Sequence, residues 1–142
     1  MGTLEILLGR RVYIDTNIFI YAFEGYEPTA DFLTQLLLAL QQSSFVAITS
    51  ELTLAEMLVE PFQANRPDAV SRYDDFLRTS ENLTVVPVGR AVLIGAARQR
   101  ARLRLLMPNA IHVATALEAG CDVFLTHDRR LRLPPELALH LI

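Results

Sequence analysis

Short runs of β-branched and apolar residues alternate along this chain with longer stretches of helical character, and few architectures accept that order. The runs are Arg11 to Ile14, Phe45 to Ile48, Leu83 to Val86, Asp122 to Leu125 and, more weakly, Leu137 to Ile142. Pro28 opens a helix reaching about Gln42, Ser50 caps one reaching about Leu58, and Pro67 opens one reaching Arg78. Two more span Val88 to Arg104 and Pro108 to Ala119, the last stopped by Gly120 as a C-cap. Strands separated by helices pair in parallel through right-handed crossovers. The expectation is a single three-layer α/β/α domain over residues 1–142, built on a mostly parallel five-stranded sheet. No repeat, low-complexity tract or linker divides it.

Bulk composition agrees with a globular domain. The 142 residues are 51% hydrophobic and 20% charged, enough to withdraw roughly two-thirds of the extended-chain surface from water. The longest apolar stretches, such as Leu36 to Leu40, fall well below the roughly 20 residues that cross a bilayer. Between Met1 and Arg11 the basic pair follows the apolar patch instead of preceding it, with no small-residue cleavage site, so a cytoplasmic protein is expected. The one cysteine, Cys121, adjoins a strand and reads as a packed core thiol. A formal net charge of −3 argues against a generally basic nucleic-acid coat. All 13 basic residues are arginine, which fits genomic composition bias or selection for bidentate phosphate contact.

Parallel sheets place their chemistry outside the carboxyl ends of the strands. Asp15 follows the first run and Asp128 the fourth, while Glu56 lies in the nearly apolar segment Leu52 to Val59. An isolated buried carboxylate costs several kcal/mol unless a cation, a hydrogen-bond network or a proton compensates it. Each acid also has a plain structural reading: Asp15 and Asp128 as helix N-caps, Glu56 as half of a salt bridge. All three, however, converge on one predicted end of one sheet. Oxygen-only ligands favour Mg²⁺ or Mn²⁺ over zinc. Asn109, at the start of a later helix, adds a neutral oxygen. The apolar helix around Glu56 is expected to raise its pKa and suit it to accept a proton.

Other acidic-site folds fail on missing residues. A receiver domain needs a lysine, and the chain has none. A haloacid-dehalogenase-like site wants aspartate where Asn17 stands, and no Gly-rich Lys-Ser/Thr loop is present. Metal-dependent phosphodiester hydrolysis is left.

Four blocks in order carry a family resemblance: Tyr13 to Ala22, Thr53 to Glu56, Pro108 to Ala116, and Asp122 to Asp128. Together they resemble the PIN domain and, within it, the VapC toxins of bacterial toxin–antitoxin pairs, nearly end to end. The resemblance implies a Mg²⁺- or Mn²⁺-dependent endoribonuclease in which Asp15, Glu56 and Asp128 match family metal positions. Asn109 stands where the family has aspartate; it can ligate a hard cation but brings one charge less. Asn17 and Thr126 could orient these ligands, or serve as turn and cap residues. Arg129 and Arg130, adjoining Asp128, and Arg98 and Arg102, sharing one helix face, are candidate RNA contacts; a charge run is otherwise a solvated face. His112 reads as a packed or partner-facing residue, and His127 is assigned no role. Apolar surface on Pro28 to Leu40 and Ser50 to Val59 exceeds what one small sheet covers. The resemblance further suggests a homodimer and a VapB-like antitoxin partner. Two functions stand: an active RNA-cleaving toxin, or a PIN-like RNA- or protein-binding module impaired in cutting by Asn109.

Overall fold

Alternation along each strand decides which of two cores its side chains enter. In the computed structural model, which describes residues 3–142, β1 (Arg11–Ile14) is central, flanked by β2 (Val46–Ser50) and β4 (Val123–Thr126). Outside them lie β3 (Leu83–Val86) and β5 (Ala138–Leu141), giving the order β3-β2-β1-β4-β5. Every pairing is parallel, with Tyr13 opposite Ile48 on one side and Phe124 on the other. The mostly parallel sheet expected from sequence is thus parallel throughout the described residues.

Val12, Ile14, Ala47, Val123 and Leu125 enter a core on one face of the sheet, with α1 (Thr3–Leu7), α2 (Thr16–Glu24), α3 (Ala30–Gln41), α4 (Glu51–Gln63) and α5 (Pro67–Thr79). Tyr13, Ile48 and Phe124 enter the other, against α6 (Arg90–Leu103) and α7 (Met107–Glu118). This is the three-layer arrangement that a period of two in buried strands produces. Fully burying a single Leu, Ile or Phe in such a core is worth about 1.5–3 kcal/mol. The two helices of the second layer approach closely at Gly95, where a Cβ would meet the Ala114 Cβ at 3.3 Å.

Several boundaries differ from the sequence reading, each for a local reason. Pro28 lies in a 3₁₀ turn, Glu27–Thr29, and the α-helix begins only at Ala30. Ser50 caps α4 as expected, its hydroxyl accepting from the Leu52 N–H at 3.0 Å, yet the helix runs past Leu58 and through Pro61. Pro61 removes one N–H near the last turn, while the Ala64 N–H donates to Glu60 O and the Arg66 N–H to Pro61 O, closing the end. α6 stops at Arg104, which takes a left-handed φ of 56°. In α7 the cap is Ala119; Gly120 follows at φ 70°, where a Cβ would be strained. The helix Thr3–Leu7 was not expected, and residues 1 and 2 of the N-terminal segment lie outside the described residues. Cys121 is buried, which pushes its thiol up to about 12 and leaves it a poor nucleophile. Among the described residues no helix is long and apolar enough to cross a membrane.

Candidate active site

Asp15 leaves the end of β1 and caps α2. Its backbone N–H donates to Leu125 O at 2.9 Å, extending the β1–β4 pairing by one residue and fixing where the carboxylate emerges. Oδ1 accepts from the Thr16 N–H at 2.9 Å and Oδ2 from the Thr126 hydroxyl at 2.6 Å. The residue is only 8% exposed. Burial raises its pKa above the ordinary 3.8, a rise moderated by the field of His112 and by the bonds from Thr126 and Thr16. The N-cap reading of Asp15 therefore holds, but a cap does not require such burial.

Thr16 and Thr126 connect Asp15 to Glu56 and to the main chain of Asp128. Thr16 Oγ1 lies 2.7 Å from Glu56 Oε1, 3.2 Å from Thr53 Oγ1 and 3.3 Å from His112 Nε2. Its single proton goes to the carboxylate, the nearest and strongest acceptor. Thr126 Oγ1, besides donating to Asp15, accepts from the Asp128 N–H at 3.0 Å, and Asn17 Nδ2 approaches it at 3.5 Å. Asn17 Oδ1 accepts from the His127 N–H at 3.2 Å, so Asn17 spans the start of α2 and the loop after β4. Asp128 Oδ1 accepts from the Arg130 N–H at 2.9 Å, closing that turn.

His112 is the residue whose part sequence reasoning missed. It is buried, and its Nε2 stands 2.6 Å from Glu56 Oε1 while its Nδ1 stands 2.5 Å from the Tyr13 hydroxyl. With Nε2–H donating to the carboxylate, Nδ1 pairs with the Tyr13 hydroxyl, which stays protonated because burial raises its pKa well above 10.0. Tyr13, His112, Glu56 and Thr16 thus form one chain. The expectation for Glu56 is corrected here: burial alone raises its pKa, but the bond and charge of His112 and the bond from Thr16 outweigh it, and the net shift is below 4.5. Asp15, not Glu56, is the acid whose net shift is upward. The spacing of His112 one helical turn after Asn109 was the available signal, but nothing in sequence placed Glu56 opposite it.

Asn109 is half-buried on the first turn of α7. With Asp128 it lines an open crevice of about 480 Å³, whose walls include Arg104, Arg130 and Arg132. Of Arg129, Arg130, Arg98 and Arg102, Arg130 alone lines this crevice. Arg129 and Arg98 are exposed outside its lining, and Arg102 approaches Glu136 at 3.9 Å. Arg104, at the end of the arginine-rich helix that the sequence offers as a candidate phosphate contact, does line the crevice, whereas Arg132 was not singled out from sequence.

Two groupings result: Asp15 and Glu56 both bond to Thr16, one to its N–H and the other to its hydroxyl, and Asp15 shares the Thr126 hydroxyl with the main-chain N–H of Asp128, which lines the crevice together with Asn109. Among the described residues, no three His, Cys, Asp or Glu side chains stand close enough to hold one metal ion together. The donor set still fits a hard divalent cation. It is all oxygen, and Asp15 is a buried carboxylate whose hydrogen bonds come from a hydroxyl and an amide, leaving its charge without a guanidinium partner.

The fold has well-matched counterparts. VapBC2 from Rickettsia felis, bound to a DNA fragment from its promoter, gives a TM-score of 0.72 at 18% identity, covering 92% of this chain and 98% of that one. A toxin–antitoxin complex from Klebsiella pneumoniae gives 0.68 at 19% identity, with 92% and 99% covered. DNA-bound VapBC from Salmonella typhimurium gives 0.64 at 19%, with 92% and 97% covered. At such identities the likeness establishes the shared fold. No curated protein matches the sequence. The family model of the PIN domain matches residues 12–137, from the first residue of β1 to enter the core to the residue before β5. By sequence as well as by fold, the chain belongs to the PIN domain family.

Proposed function

We propose that this PIN domain is a Mg²⁺- or Mn²⁺-dependent endoribonuclease that cleaves structured RNA, and that it is the toxin of a VapBC-type pair. The observation that carries the reading is the buried Asp15 at the carboxyl end of β1, joined to Glu56 by Thr16 and to the Asp128 main chain by the Thr126 hydroxyl. PIN domains are nucleases, and the similar VapBC complexes support the toxin role and a VapB-like antitoxin as partner. Exposed apolar residues such as Leu38, Val59 and Phe62 supply surface for a homodimer or for that antitoxin.

A divalent cation at such a site lowers the pKa of a bound water and offsets charge building on the attacked phosphate. Asp15 would be its central protein ligand, with Glu56, Asp128 and Asn109 completing the set. Thr16 and Thr126 each hold a carboxylate oxygen in place, of Glu56 and of Asp15 respectively. His112 keeps Glu56 ionised and oriented. Arg104, Arg130 and Arg132 would receive flanking phosphates of the RNA in the crevice.

Cleavage of a structured RNA by the purified chain in Mg²⁺ or Mn²⁺, stopped by EDTA and lost in Asp15→Ala, is the expected result. Absence of metal-dependent cutting would leave the second reading, a PIN-like binding module. Asn109 favours that reading, since an amide cannot replace the charge of a carboxylate. Asn109→Asp separates the two: it is expected to tighten Mn²⁺ binding by calorimetry and to raise the cleavage rate. No gain in either would refute the idea that Asn109 weakens the site.

A further inference from the structure

Three aromatic rings stand beside the acidic edge without a part in holding it. Tyr21, on α2, and Tyr26, just before the 3₁₀ turn, have ring centroids 4.5 Å apart and planes tilted by 30°. His127 sets its edge against both, at 5.1 Å and 87° to Tyr21 and at 5.9 Å and 77° to Tyr26. The histidine is pinned, its N–H donating to Asn17 Oδ1 and its Nδ1 bonded to the Ile142 carbonyl oxygen. It is also the residue between Thr126, which binds Asp15, and Asp128. The trio is therefore joined to the acidic edge through the chain on either side of His127 and through Asn17. Tyr21 packs in part against the core, but it and His127 remain half-buried and Tyr26 keeps 38% of its surface in solvent, more than core filling requires.

We propose that Tyr21, Tyr26 and His127 form a stacking platform for a nucleobase of single-stranded or looped RNA lying across the acidic edge. The proposal rests on the nuclease reading and adds to it where a base is gripped. Every base offers a π-face to such rings, and unpaired RNA is bound largely in this way. The arginines of the crevice lie on the Asn109 side of Asp128, whereas the platform is built on α2 and its following turn. A strand reaching from one to the other would have phosphate contacts and a stacked base on either side of Asp128.

The test uses the full chain with Asp15→Asn to prevent cutting, a fluorescein-labelled single-stranded oligoribonucleotide, and an oligomer of equal length lacking its bases. Tyr26→Ala is expected to weaken binding of the normal oligomer about 5- to 100-fold, to leave the base-free oligomer unaffected, and to be rescued by Tyr26→Phe. Thermal melting shows whether the exposed position tolerates the change. Unchanged binding in Tyr26→Ala and Tyr21→Ala, or equal weakening with the base-free oligomer, would overturn the platform. If the unsubstituted chain cuts RNA with a KM that neither tyrosine alters, the platform fails and the nuclease reading stands. If it neither binds nor cuts RNA, both fail.

Discussion

Asp15 carries the conflict between stability and chemistry in this protein. Because burial raises its pKa, the native state holds the proton more readily than the unfolded chain does. The associated stability is complete below the ordinary 3.8 and is lost as pH rises through the native value. At neutral pH the ionised, buried carboxylate is a cost to folding. Asp15→Asn should therefore raise Tm in EDTA by about 2–4 °C while removing cleavage, as scanning calorimetry and an RNA assay would show. Added Mg²⁺ should raise Tm in the native chain and not in the variant; a lower Tm for Asp15→Asn without metal would mean the acid is already compensated. Glu56 behaves oppositely. Its pKa falls because His112 and Thr16 favour the charged form, so its contribution is present above 4.5 and is lost as pH drops through the lowered native value. Two carboxylates that both accept hydrogen bonds from Thr16, one from its N–H and one from its hydroxyl, are thus pushed in different directions by their surroundings.

At the scale of elements, α7 does most to join fold and site. It brings Asn109 to the crevice and His112 to Glu56, and its depth is set by contact with α6 at Gly95 and Ala114. Gly95→Leu would force the two helices apart, so a loss of about 1–3 kcal/mol is expected in urea denaturation, together with reduced cleavage. Stability unchanged by that substitution would show that the contact has slack. The helices and strands were largely legible because period-two and helical patterns reflect which faces are buried. Their ends were less so. Pro61 reads as a helix breaker, yet near a C-terminus its missing N–H removes little and its ring is buried, so α4 continues. Likewise Pro28 promised an α-helix and delivered a 3₁₀ turn that leads into one.

For the whole molecule, a net charge of −3 coexists with a crevice walled by Arg104, Arg130 and Arg132, so overall charge says little about local binding. RNA affinity measured by fluorescence anisotropy should fall as salt rises, and Arg130→Ala or Arg132→Ala should each reduce the log–log salt slope by about 1. An unaltered slope would remove those residues from the phosphate path. The amino-acid order alone determined the α/β/α class, the succession of parallel strands, and the acids that follow β1 and β4, because backbone periodicity and the cost of isolated charge are local properties. It also carried the family blocks around Asp15, Glu56, Asn109 and Asp128. Only tertiary structure decided that His112 reaches Glu56 across 56 positions, that Thr126 reaches Asp15 across 111, and that Arg104 and Arg132 join Arg130 while Arg98 does not. Those pairings depend on which strands become neighbours, and a bond between a hydroxyl and a distant carboxylate leaves no periodic trace in either segment. The pKa of Glu56 followed the same rule: its own helix pointed upward, and a partner from another helix reversed it.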